Sequence, residues 1–362
     1  MQGGLILSNL TINIGNKNIG GNNPPYFIAD IGANHDGSLE RAFKLIELAK
    51  ESGADAAKFQ NFKAERIVSE KGFQTLKGKL SHQSSWEKSV FEVYKDASLS
   101  YEWTAKLKEK CNEVGIEYMT SPYDFTSVDQ TDQYLNAFKI GSGDITWLEI
   151  IEYIAKKNKP MILSTGASDI EDVDRAVKVA REYNKEIILL QCNTNYTAKR
   201  ENFKYINLNV LNEYKKRYPD LLLGLSDHTK GDTAVLGAIA LGASVIEKHF
   251  TDDNDRIGPD HKFAMTPDDW QKMVERSNKL FDALGDGNKK IEKNEQESKI
   301  VQRRALRYDR ELSKGDIISE EDIFPLRPIS KEGIPPFKKK DIVGKKINKK
   351  VKKDDLVRWE DF

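Results

Sequence analysis

From Tyr26 to Phe250 the chain repeats one unit: a short apolar segment, a polar or glycine-bearing end, then an amphipathic stretch. The strand candidates are Tyr26–Ile31, Ala56–Gln60, Glu117–Ser121, Ala137–Gly141, Pro160–Ser164, Ile187–Gln191, Leu222–Leu225 and Val245–His249. Strands alternating with helices predict a parallel α/β protein. Eight units over roughly 250 residues fit a (β/α)8 TIM barrel better than an open sheet. The first strand–helix turn, Ile31 to Gly37, lacks the glycine fingerprint of a dinucleotide site. Around this barrel the expected domains are residues 1–284, with an N-terminal hairpin plugging the barrel bottom, a polar linker over 285–302, and a β-rich module over 303–362. The stretch from Lys63 to Ser100 is longer than an ordinary βα loop and reads as a lid or partner contact.

Strand C-termini face the active site in such barrels, so the residues there are informative. In order they are Asp30, then Lys58 and Gln60, Thr120 and Ser121, Lys139 and Ser142, Ser164 and Thr165, Asn193 to Tyr196, Ser226 to His228, and Glu247 with His249. His228 and His249 close consecutive strands 21 residues apart, and the crossover between them brings the strand ends side by side. Two adjacent imidazoles can hold a divalent metal, although each could instead cap its strand and bond to backbone. Asp227 and Glu247 are expected to crowd the same spot with carboxylates. Lysines within apolar strands (Lys58 and Lys139) are costly unless an anion meets them, or unless they pair with Asp30 or Glu247. With Ser142, Ser164 and Ser226 they predict a pocket for a phosphate and a carboxylate. A metal beside such a pocket suits condensation of a small phosphorylated carboxylate with a carbonyl compound, Glu247 moving protons. His35 reads as a structural loop residue, His82 as surface, and Asp260 is a stronger polyol contact than His261.

Composition excludes several classes. Lys+Arg and Asp+Glu are both 57, which argues against a nucleic-acid partner. The charge is uneven, since residues 303–362 hold 17 Lys/Arg against 12 Asp/Glu. The lysine runs 338–340 and 349–353 are expected as solvated faces or protected strand edges. Cys111 and Cys192 give no disulfide framework, and no apolar run reaches the ~18 residues of a membrane span. A cytoplasmic protein is expected.

Taken in order, these segments resemble the sialic acid synthase family. The matching pieces are Ala29 to Gly37, Ala57-Lys58-Phe59-Gln60, Phe138 to Asp144, Ile162 to Gly166, Gly224 to Thr229, Ile246 to Thr251 and Gly258-Pro259-Asp260. Residues 303–362, from Arg303-Arg304-Ala305-Leu306 to Gly333-Ile334-Pro335-Pro336, resemble the antifreeze-like SAF domain of those synthases. The resemblance implies phosphoenolpyruvate-dependent condensation with an N-acyl hexosamine such as N-acetylmannosamine, giving a nonulosonic acid, with Mn²⁺ (or Mg²⁺ or Co²⁺) required. By position it makes His228 and His249 the metal ligands. Lys58, Lys139, Ser142, Ser164 and Ser226 become phosphoenolpyruvate contacts, with Thr120 or Ser121 beside them. Glu247 lies near the reacting centre, and Gln60, Tyr196 and Asp260 fall on the sugar side. Arg327 matches an arginine reaching a neighbouring subunit's sugar site, which implies a homodimer with swapped SAF domains.

Two departures bear on the sugar. Asp30 stands where the family commonly has glutamate. Gln191-Cys192-Asn193-Thr194-Asn195-Tyr196-Thr197 differs from the expected His-Cys-Thr-(Asn/Ser)-x-Tyr-Pro, so Thr194 stands at a contact position whose role can pass to Asn193 or Asn195. A 2,4-diacetamido sugar leading to legionaminic or pseudaminic acid is the alternative substrate. Rival functions are condensation with a phosphorylated pentose or tetrose, or a non-catalytic carbohydrate-binding protein.

Overall fold

The structure is a computed structural model, and it describes residues 10–76, 83, 86 and 88–362. His82 and residues 5–9 of the expected hairpin lie outside the described residues. Contacts divide the chain into Met1–Gly287 and Asn288–Phe362.

Within the first unit, β1 (Thr11–Ile14) and β2 (Lys17–Gly20) form an antiparallel hairpin. The strands that follow are β3 (Tyr26–Asp30), β4 (Ala56–Asn61), β5 (Glu117–Pro122), β6 (Phe138–Ile140), β7 (Met161–Ser164), β8 (Ile187–Cys192), β9 (Leu222–Asp227) and β10 (Val245–His249). Among the described residues these eight form one parallel sheet in the order β5-β4-β3-β10-β9-β8-β7-β6, curled into a nearly closed barrel ringed by helices. Every expected strand is present, with boundaries shifted by at most two residues.

The helices follow from local sequence. Ile170–Tyr183 begins at a capping box, in which Asp169 accepts from the Asp172 amide and Asp172 accepts from the Asp169 amide. Val173, Ala176, Val177 and Ala180 then recur at helical spacing and are its buried face. The helix stops at Asn184, whose extended backbone leaves the helical region.

Strand residues are buried on both sides because two cores meet across the sheet. Outward residues such as Ala57, Phe59, Tyr118 and Phe138 join the core beneath the helices. Inward residues Ile28, Ala56, Met119, Ala137, Ile162, Leu190, Leu222 and Val245 pack with Ile12, Ile14 and Ile19 of the hairpin. The hairpin thus fills the N-terminal end of the barrel, as the sequence predicts.

The second unit pairs β11 (Ala305–Tyr308) with β12 (Ile323–Leu326) in an antiparallel ladder. Leu306, Tyr308, Leu312, Ile318, Ile323, Ile334 and Ile342 are part of its own core. The expected linker carries a short helix, Gln296–Val301, and residues 285–304 are all exposed. The lysines of the two runs are exposed except for half-buried Lys339, while Val351 within the second run is buried.

Candidate active site

Strand alternation builds the site directly on the apolar plug. Each barrel strand contributes one further inward position: Asp30 beyond Ile28, Lys58 beyond Ala56, Ser121 beyond Met119, Lys139 beyond Ala137, Ser164 beyond Ile162, Cys192 beyond Leu190, Ser226 beyond Gly224, and Glu247 beyond Val245. All eight are buried.

Within this layer the charges are paired. Lys58 Nζ lies 2.8 Å from Asp30 Oδ2 and 3.6 Å from Glu247 Oε1, and it donates to Ser121 Oγ at 3.5 Å. Burial alone would push the Lys58 ammonium down, but Asp30 and Glu247 outweigh it and hold its pKa above the ordinary lysine value. Asp30 mirrors this: burial would raise it, while Lys58 and then His249 hold it below the usual carboxylate value. Lys139 is placed differently. Its Nζ donates to the Ile140 carbonyl at 2.9 Å and reaches Glu247 Oε2 only at 3.5 Å. Burial lowers its pKa, and Glu247 offsets this only in part. Pairing with Asp30 or Glu247 therefore holds for both lysines, and Lys139 is the amine more easily drawn to an incoming anion.

Unused hydrogen-bonding capacity gathers at the same level. Among the described residues Ser164 Oγ, Asp30 Oδ1, Glu247 Oε2 and His249 Nδ1 are buried without a hydrogen-bond partner. Such groups are costly when left alone, and their convergence marks a ligand-binding layer. Ser142 Oγ accepts from the Gly166 amide at 3.0 Å. Cys192, unremarked in the sequence beyond its apolar setting, lies beside Ser142 and Ser226, and burial raises its thiol to about 11. Asp144, just past Ser142, is pushed up to about 6 by burial, Lys139 acting against the shift.

Above this layer stand the two histidines, with ring centroids 5.5 Å apart. His228 Nδ1 donates to the Asn193 carbonyl at 2.9 Å, which leaves Nε2 as a lone-pair donor. Burial, then the neighbouring His249, lowers its pKa to about 3, so the ring is neutral. His249 lies 3.5 Å from Asp30 and 3.7 Å from Asp260 without a hydrogen bond to either. Phe263 packs against both rings, at 6.0 and 4.9 Å, and Tyr196 closes the same wall. No group of three His, Cys, Asp or Glu able to hold a metal occurs among the described residues. An ion held by the two imidazoles would have to complete its shell with water and substrate oxygens.

On the third side Asp260 Oδ2 accepts from the Ala33 amide at 3.2 Å. Gln60 Nε2 donates to Asp30 Oδ2 at 3.3 Å. Gly32 sits where these meet: its φ is +51°, and a Cβ there would come within 2.8 Å of Asp260 Oδ2. Behind Asp260, His261 bridges Thr251 Oγ1 at 2.7 Å and Asp36 Oδ1 at 2.8 Å, clamping the loop that carries Asp260. A cavity of about 590 Å³ is lined by Tyr196, Phe263 and Pro259 together with Trp86 and Val93 of the long insertion.

Several expectations need correction. Thr120 points outward with Phe59 and donates to Asn61 Oδ1 at 2.7 Å, so Ser121 is the inward member of that pair. Asp227 likewise faces outward and pairs with Lys248 at 2.5 Å, so of the two only Glu247 faces the site. The Asn193 amide donates to the Tyr205 carbonyl, and Asn195 Oδ1 braces Thr197 and Asn202. Neither side chain is turned to the site. Thr194 is, with its methyl against Gly166. Arg327 is exposed in the second unit.

Residues 45–289 match the model of the NeuB family, and residues 303–362 match the SAF domain. The chain belongs to the NeuB family. It is 38% identical to the N,N'-diacetyllegionaminic acid synthase of Campylobacter jejuni, over 91% of this chain and 98% of that one. Identity to the human N-acetylneuraminate-9-phosphate synthase is 31%, over 94% of each chain. Among solved structures, the N-acetylneuraminic acid synthetase of Leptospira borgpetersenii in complex with citrate superposes with a TM-score of 0.71 at 29% identity, covering 80% of this chain and 95% of that one. The family resemblance read from the strand ends is borne out.

Proposed function

We propose that this protein is a nonulosonic acid synthase that condenses phosphoenolpyruvate with an N-acyl hexosamine and water, releasing phosphate. The observation that carries the reading is the buried layer Asp30, Lys58, Lys139 and Glu247 beside two adjacent imidazoles, in a NeuB-family chain. Lys139 and Lys58, with Ser121, Ser142, Ser164 and Ser226, hold the phosphate and carboxylate. C3 of phosphoenolpyruvate forms a bond to the aldehyde carbon of the open-chain sugar, and water adds at C2. The C2–O bond to phosphate then breaks. Glu247 transfers the proton that water gives up, and the new alkoxide gains one in turn. Gln60, Tyr196 and Asp260 orient the sugar. His228 and His249 would hold Mn²⁺, which when bound polarises the sugar aldehyde. Arg327, exposed and without an ion pair among the described residues, serves the sugar site of a second copy in a domain-swapped homodimer. Cytoplasmic action is in keeping with two free, buried cysteines and with the absence of any described helix long and apolar enough to cross a membrane.

A second reading of the sugar, a 2,4-diacetamido hexose giving legionaminic acid, is favoured by the higher identity to the legionaminic acid synthase, 38% against 31% for the human enzyme. The test is phosphate release from phosphoenolpyruvate with Mn²⁺ and a panel of N-acetylmannosamine, its 6-phosphate and 2,4-diacetamido sugars. One sugar is expected to support turnover, with chelator and His228→Ala each abolishing it. Turnover by His228→Ala in saturating chelator refutes the metal assignment, and no phosphate release with any sugar refutes the reaction.

A further inference from the structure

A fully buried charge pair stands directly behind the two histidines. β9 and β10 run in register up to Asp227↔Lys248, and that is their last rung. His228 lies one residue past β9, and His249 keeps its pairing with Asp30 of β3 on the other edge of β10. The ladder between the two strands therefore ends one step before the imidazoles. Alternation turns the rings inward and the Asp227 and Lys248 side chains outward.

Behind the sheet those side chains close a compact clasp. Lys248 Nζ donates to Asp227 Oδ2 at 2.5 Å and to the Thr229 carbonyl at 2.6 Å. Thr229 returns two bonds to the same carboxylate, from its amide at 3.1 Å and its hydroxyl at 2.9 Å. Asp227, Lys248 and Thr229 are each 2% exposed or less. A buried ion pair is a poor source of stability, since apolar residues of similar volume commonly do as well or better. What such a pair supplies is fixed geometry. The need is plain at His249, whose Nδ1 is buried without a hydrogen-bond partner and whose ring is held by packing against Phe263, Tyr196 and His228 and by Asp30 at 3.5 Å.

We propose that the Asp227–Lys248–Thr229 clasp is a positioning element for a two-imidazole divalent-metal site, replacing the missing rung and fixing the spacing of His228 and His249. The inference rests on the functional reading above, in which those rings hold the metal. Its test is calorimetric titration of the full-length, metal-free protein with Mn²⁺, alongside thermal unfolding. The double variant Asp227→Leu/Lys248→Met is expected to unfold within about 5 °C of wild type and to bind Mn²⁺ some 10- to 100-fold more weakly, roughly the loss typical of outer-shell metal partners. A folded double variant with wild-type Mn²⁺ affinity overturns the clasp's role and leaves the functional reading intact. If the double variant does not fold, Thr229→Val decides: about threefold weaker binding supports the role, and unchanged binding overturns it. Wild-type protein that binds no Mn²⁺, or a His228→Ala variant that binds it equally well, overturns the metal reading and the clasp with it.

Discussion

At Gly166 there is no room for a methyl group. A Cβ there would lie 2.4 Å from the Thr194 methyl, 2.9 Å from Ser142 Oγ and 3.0 Å from Cys192 Sγ. Gly166→Ala is therefore expected to push Ser142 and Thr194 off their positions, raising KM for phosphoenolpyruvate at least about tenfold, roughly the 1.4 kcal/mol of a displaced polar contact. Steady-state kinetics with a thermal melt check this, and an unchanged KM counts against the phosphate-cradle assignment. His35 makes a different prediction. It is buried, its Nδ1 accepts the Gly37 amide at 3.1 Å, and burial lowers its pKa to about 4. Because the folded-state value lies below the ordinary 6.5, the unfolded chain takes up the proton first as pH falls. The contribution is whole above pH 6.5 and is lost on the way down to pH 4, at about 1.4 kcal/mol per unit, so ~3 kcal/mol in all. Urea unfolding at pH 7 and pH 4.5 is expected to show a smaller loss in His35→Asn than in wild type, and equal losses would clear His35 of the effect. Most of the strand-end residues singled out in the sequence lie on the inward register, although Cys192, also inward, was not among them. The reading failed at Thr120 and Asp227, each one position off that register, because composition alone does not say which side of a sheet a polar residue faces.

The elements were legible because their cause is local. Apolar segments bounded by polar ends give strands, and the 3-4 spacing seen in Ile170–Tyr183 gives helices. Contacts between distant loops carry no such local trace. His261 meets Asp36 across 225 residues, and nothing in the spacing of either announces it. That clamp joins the loop after β3 to the loop after β10, and Arg41 and Arg256 add charge bonds to the same Asp36. His261→Leu removes one hydrogen bond each from Asp36 and Thr251, both of which keep other partners, at a cost of about 1 kcal/mol per bond. It also slackens the segment holding Asp260. The expected kinetic signature is a raised KM for the sugar with KM for phosphoenolpyruvate unchanged, and equal changes in both would assign His261 to general stability only.

At the scale of the whole molecule, the chain comprises two units, each with a core of its own. The sequence placed the end of the first near residue 284, and the contacts put it at Gly287. The connecting stretch was read as plain linker, yet it holds the helix Gln296–Val301, whose residues are all exposed and show no buried stripe. Six-residue helices lie below the length at which periodicity becomes readable. Limited trypsin digestion of the full chain is expected to cut first at Lys289, Lys290, Lys293 or Lys299, all exposed, separating the two units before either is degraded. Early cuts inside the barrel would contradict that division. The hairpin beneath the barrel has a wider consequence. With Ile12, Ile14 and Ile19 sealing the lower end among the described residues, whatever reacts on the polar layer arrives and departs at the opposite, C-terminal end of the strands. Traffic there runs both ways, and each spent molecule must clear the threshold before its successor can cross it.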